Sequence, residues 1–179
     1  MTNKYAAVQG GLITSILDAD HNPGEGWAPI PSTFQWSDRP SRAHRPHLID
    51  GAVVWQDDRI LADVKAAKWE AIKAARTAAI DAHLVTPYGT FDAGPEDRAN
   101  ITDAVLLVQT MASLGTPTTV TFTTATNTVV TLTTAQMVNV GLLLGAKVQG
   151  AYATARALRA TIEAAETVAG VDDVTWPAP

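Results

Sequence analysis

The sequence predicts an α+β protein: an N-terminal β-hairpin module followed by a helical domain of three main helices with an inserted β-hairpin. Three observations carry this. The first 57 residues hold short apolar runs punctuated by Gly and Pro turn signals. Three later windows repeat apolar residues at spacings of three and four. Between the second and third windows, residues 118–133 alternate β-branched or aromatic residues with threonine. The resulting division is a β-rich module at 1–57, suited to attachment or interaction, and a helical domain at 58–179.

Residues 4–17 form the first predicted hairpin, because Gly10-Gly11 separates two apolar runs and both glycines accept positive φ. Residues 18–47 hold Pro23, Pro29, Pro31, Pro40 and Pro46, which remove backbone donors, so this stretch is read as irregular. It also carries Trp27, Phe34 and Trp36, aromatics that must pack onto something. Residues 47–56 form a second hairpin, with Asp50-Gly51 as a type I′ turn and Trp55 in its return strand.

Asp57 or Asp58 is placed to cap a helix running to about His83, with Leu61, Val64, Lys68, Ile72, Ala75 and Ala79 on one face. Its many alanines give a thin seam that allows close approach of a neighbouring helix. Residues 86–92 read as a short extended segment. Gly94-Pro95, followed by Glu96 and Asp97, starts a second helix that ends at Leu114 before Gly115. Its stripe is Ile101, Val105, Val108 and Ala112, broadened by Leu106 and Leu107. The Thr-rich hairpin turns at Asn127. Thr133 or Thr134 then caps a helix over about 135–167, whose seam runs Met137, Val140, Leu144, Val148, Ala151, Ala155, Leu158, Ile162, Ala165. That seam can meet the two preceding helices or a second copy of the chain. Gly170 ends the helical region, and VDDVTW closes as a turn and extended tail.

Thirteen Lys and Arg stand against 18 Asp and Glu, a net charge of −5. An acidic surface lacks the basic stripe of a nucleic-acid binder. No apolar run approaches the ~20 residues of a membrane span, and the start lacks a signal-peptide pattern. The expectation is a soluble protein made and kept in the cytoplasm, or packed into a particle there, with no nucleic-acid or membrane partner. There is no Cys, so thiolate chemistry and disulfides are excluded.

The segment Asp18 to Gly24 has the spacing of a calcium loop in part, but Pro23 stands where the sharp-turn glycine belongs and Pro29 where the bidentate carboxylate belongs. It reads as a polar turn. Arg42, His44, Arg45 and His47 form a basic knot without a further convergent ligand, read as a solvated loop. His21 and His83 lack a recognised catalytic partner, and the pairs Asp57-Asp58, Glu96-Asp97 and Asp172-Asp173 read as caps and turns. The phosphate-loop and zinc-helix motifs are missing. The chain therefore reads as a non-enzyme with no catalytic, cofactor or metal residues. Trp27, Phe34, Trp36 and Trp55 are its interface candidates.

The segments WEAIKAAR (69–76), TPYGTFDAGPEDRANITDAV (86–105), NTVVTLTTAQMVNVG (127–141), ARALRATIEAA (155–165) and VTW (174–176) together resemble a tail-associated domain family of bacteriophages and prophages. That family has no assigned activity, and its members are encoded near tail-fibre genes. The threonine run at 116–126 departs from it, since related sequences vary more there and often place tryptophan near Phe122. The resemblance implies a structural protein of the phage tail, at the fibre or baseplate end, a virion component binding other tail or fibre proteins. The alternative it implies is a tail-fibre assembly chaperone acting in the host cytoplasm.

Overall fold

The computed structural model describes residues 3–116 and 118–178. The α+β architecture is as the sequence predicts, an N-terminal sheet followed by helices with an inserted hairpin. The chain divides into two compact units, 1–63 and 64–179.

The first unit is one antiparallel sheet of β1 (Asn3–Gln9), β2 (Leu12–Ala19), β3 (Trp27–Ile30), β4 (His44–Ile49) and β5 (Ala52–Asp57), in the order β3-β1-β2-β4-β5. Both predicted turns are present. Gly10, Gly11, Asp50 and Gly51 all have positive φ, the condition for a two-residue type I′ hairpin. The imperfect alternation of residues 12–17 has a cause: the β1–β2 register slips between Ala7 and Val8, leaving Thr14 unpaired as a bulge. Thr14 Oγ1 donates to the Ala7 carbonyl at 3.2 Å.

β3 corrects the reading of 18–47 as wholly irregular. Pro29 lies within this strand, opposite Tyr5 of β1. The sheet tolerates it because β3 is an edge strand. Pro46 follows the same logic in β4. In a two-residue hairpin closed by Ile49 and Ala52, the pairs His47–Val54 and Arg45–Gln56 share ladder hydrogen bonds. Pro46, opposite Trp55, would therefore turn its missing N–H toward β2, where the ladder is reduced to the single pair Leu12–His47. Ala6, Ile13, Ile30 and Phe34 form the core of this unit, with Val53 and Trp55 packed against it.

In the second unit, α1 (Leu61–Asp81) leads into the short hairpin β6 (Leu84–Thr86) and β7 (Gly89–Phe91). Then come α2 (Pro95–Ser113), the hairpin β8 (Thr119–Thr123) and β9 (Val129–Thr133), α3 (Thr134–Ala164) and α4 (Val168–Asp172). Three sequence expectations are corrected here. The extended segment 86–92 is half of a hairpin, paired Leu84–Phe91 and Thr86–Gly89. The long helix ends at Ala164, and Thr167 then accepts from the Gly170 N–H at 3.0 Å and starts α4, so Gly170 lies inside a helix. Asp57 and Asp58 sit short of α1, whose first residue is Leu61. Asp57 holds Arg59 instead, and Asp58 holds His47.

The start of α3 is as expected. Thr133 and Gln136 form a reciprocal capping box. Met137, Val140, Leu144, Ala151, Ala155 and Ile162 are buried along its seam. On α2 only Ile101 and Val108 are buried. Leu106 and Leu107 are 64% and 51% exposed, and Ala112 is exposed as well. At about 100° per residue the two leucines point roughly 140° and 120° away from Ile101, so they cannot widen its stripe. The core gathers Leu84, Phe91, Ala93, Leu132 and Met137 with the α2–α3 interface. Gly141 permits that close interface: a Cβ there would lie 2.7 Å from Val105 Cγ2.

Candidate functional site

In the first unit the residues Pro31 to Arg39 are held by turns. The Phe34 N–H donates to the Pro31 carbonyl at 3.0 Å, and a 3-10 turn spans Trp36–Asp38. Arg39 Nε donates to the His44 carbonyl at 2.8 Å and ties the segment to β4. This brings three of the four interface candidates together. Phe34 stacks on Trp55 at 5.6 Å between ring centroids, Trp36 meets Phe34 edge-on at 5.7 Å, and Trp36 meets Trp55 edge-on at 6.0 Å. Phe34 is buried, Trp55 half-buried, and Trp36 is 50% exposed. Trp27 stands apart, half-buried in β3 opposite Ala7, with no ring contact to the cluster.

The basic knot does not converge. His44 and His47 lie in β4 rather than in a solvated loop; His44 Nδ1 meets Ser41 Oγ at 2.8 Å and His47 Nε2 meets Asp58 Oδ1 at 2.9 Å. Among the described residues, no group of three His, Asp or Glu side chains is placed to hold a metal. Asn22 closes the Asp18–Gly24 segment as a polar turn, its Oδ1 accepting from the Gly24 N–H at 3.0 Å.

Asp57 has the clearest electrostatic signature. The Arg59 guanidinium donates to its carboxylate at 2.7–3.1 Å and holds its pKa down to about 2. A carboxyl whose folded pKa is depressed contributes stability above its unfolded value and loses it as pH falls through the folded one. Stability of the first unit should therefore decline between about pH 4 and about pH 2. Arg59→Gln should return the Asp57 titration to the ordinary carboxylate range, read by NMR of the carboxyl carbon. An unchanged midpoint would show that Arg59 is not the cause.

The second unit carries a groove of about 650 Å³ between α1 and α3. Its floor is small, with Ala75, Ala79, Gly150 and Ala151, and Trp176 forms one wall. The alanine face of α1 leaves room for a close neighbour, but no helix packs tightly against it. α3 packs tightly on α2, while α1 stands off and is bridged by long side chains. The Arg76 guanidinium lies 4.6 Å from the centroid of the Tyr152 ring and the Arg159 guanidinium 5.1 Å from that of the half-buried Trp69.

Lysines complete the bridging. None of the four described α-helices has a basic residue in its own last turn, so cations reach the helix ends from elsewhere in the fold. Lys147 donates to the Ile80, Ala82 and His83 carbonyls at the end of α1. Lys65 donates to the Glu163 carbonyl at the end of α3, and Lys68 to the carbonyls of Asp172 and Val174. Burial, with Arg98 nearby, lowers the Lys147 pKa, and Asp81 opposes this in part. Sequence spacing could not reveal these caps, since donor and acceptor are 64 to 106 residues apart.

No helix among the described residues is long and apolar enough to cross a membrane. A family model described as Domain of unknown function (DUF4376) matches residues 63–175. No curated protein and no solved structure matches the chain. The match lies on the helical unit, and the aromatic cluster of Phe34, Trp36 and Trp55 falls outside it.

Proposed function

The chain belongs to the family described as Domain of unknown function (DUF4376), through residues 63–175, and from that premise we propose that it is a structural protein of a bacteriophage tail, at the fibre or baseplate end, acting through protein–protein contacts. The setting is supported by the resemblance of residues 69–176 to tail-associated domains. The observation that carries the mode of action is Trp36. Its indole keeps half its surface in water while two further aromatic rings fix its position. A rigid, pre-positioned tryptophan on a polar segment is what an interface anchor requires, because little side-chain entropy remains to be lost on binding. On this reading the sheet unit contacts the partner and the helical unit is the family's common body.

Two measurements test it. Mass spectrometry of purified particles should find this protein in fixed ratio to a known tail protein, and its absence from particles despite abundance in the infected cell overturns the proposal. Trp36→Ala should reduce incorporation by at least about tenfold, since anchor truncations typically cost about 2 kcal/mol or more of binding. The same change should cost the fold about 1 kcal/mol, the worth of exposed aromatic pairs. Equal incorporation of the folded variant would remove Trp36 from the interface.

A further inference from the structure

We propose that β5 pairs with β5 of a second copy of this chain, joining two sheets into one across a two-fold axis. The sheet has two edges, and they differ. β3 is four residues long and carries Pro29, a device that blunts an edge. β5 is six residues long, Ala-Val-Val-Trp-Gln-Asp, without proline. No described strand pairs with it beyond β4.

The hairpin register determines which groups face outward. Ala52, Val54 and Gln56 turn their N–H and C=O groups toward β4, so Val53, Trp55 and Asp57 turn theirs to the free edge. An antiparallel two-fold centred on Trp55 uses all of them: Trp55 faces its own copy, and Val53 faces Asp57 in both directions. Both donor and acceptor of each outward-facing residue are then satisfied. Asp57 meets Val53 rather than another carboxylate, so the register sets no like charges opposite one another. On the core face the two Trp55 rings become neighbours, extending the cluster of Phe34 and Trp36 across the axis. Val54, 41% exposed, gains Gln56 of the copy as its cross-strand neighbour. The second copy is the occupant favoured here because this one register pairs every outward hydrogen-bonding group, sets no like charges opposite one another and joins the aromatic surface of Trp55 to its own copy. The inference does not depend on the tail reading, because the pair should form in a solution of the pure protein.

Sedimentation equilibrium of the full chain should give about twice the 18.9 kDa mass of one chain at high concentration and dissociate on dilution. Val53→Pro should abolish the dimer while leaving the far-ultraviolet circular dichroism unchanged, because that N–H faces outward and an edge strand accepts proline. If that variant unfolds, a cysteine pair decides. The chain has no Cys, and positions 54 and 56 are exposed. The double variant Val54→Cys with Gln56→Cys should give a covalent dimer on mild oxidation, since each position faces the other across the axis. Val54→Cys alone should cross-link far less. A native chain that stays monomeric at every concentration overturns the proposal. So does a dimer that survives Val53→Pro in a folded variant, or one that the cysteine pair fails to link.

Discussion

Phe91→Ala should destabilise the helical unit by about 3–5 kcal/mol, the range for removing a fully buried phenylalanine. Phe91 is 2% exposed and closes β7 opposite Leu84, itself 4% exposed. Its ring meets Phe122 of β8 edge-on at 6.2 Å. It therefore joins three elements at once: the β6–β7 hairpin, the β8–β9 hairpin and the α2–α3 core. Little can collapse into the space it would leave. The neighbouring backbone is fixed by the Ala125 N–H donating to the Thr90 carbonyl at 2.8 Å. Thr124 is also pinned, its Oγ1 accepting from the Thr128 N–H at 3.1 Å. Domains are stable by only about 5–15 kcal/mol, so the loss is a large share of the total. Urea denaturation should show a midpoint well below that of the native chain. Leu107→Ala is the contrast: it removes a comparable apolar side chain from a position 51% exposed, and should change stability by about 0.5 kcal/mol or less. Similar losses for the two variants would mean that Phe91 does not close the core.

The contrast between these two residues shows what the sequence can and cannot disclose. Leu107 sits in an apolar run on a well-signalled helix, and its neighbourhood invites a buried reading. Phe91 sits in a three-residue strand, too short for a period of two to declare itself. Elements announced by turn chemistry or caps are legible: Gly10-Gly11, Asp50-Gly51, Gly94-Pro95, and Thr133 with Gln136. β3 is hidden because Pro29 reads as a breaker until the strand is known to lie at an edge. α4 is hidden because its signal is one threonine cap over five residues. The candidate site was legible in composition but not in geometry. Phe34, Trp36 and Trp55 stand out as aromatics, yet their stacking depends on the register that sets Trp55 opposite Pro46. Trp27 stands out equally and joins nothing. The α1–α3 groove had no sequence signal, because alanines that permit close packing do not compel it.

Gly141→Ala should destabilise the chain, against the usual gain of about 1 kcal/mol when alanine replaces glycine inside a helix. The new Cβ would sit 2.7 Å from Val105 Cγ2, inside any tolerable contact. Val105 cannot simply rotate away, because a β-branched side chain in a helix has one strongly preferred rotamer. α2 and α3 would have to separate, and overpacking of this kind costs about 1–3 kcal/mol. The net effect is a loss in the native background. In a Val105→Ala background the obstructing methyls are gone, and the same Gly141→Ala change should become stabilising by up to about 1 kcal/mol. That change of sign is the test, read from a denaturation cycle over the four variants. Gly145 and Gly150 lie on the same helix, and a Cβ added at either would meet nothing within 4 Å. Alanine at either should stabilise in both backgrounds, which separates local crowding from helix propensity. If Gly141→Ala stabilises the native chain as they do, the spacing of α2 and α3 is not set at this glycine. The close packing would then have to originate in the surrounding core of Ile101, Val108, Val140 and Leu144.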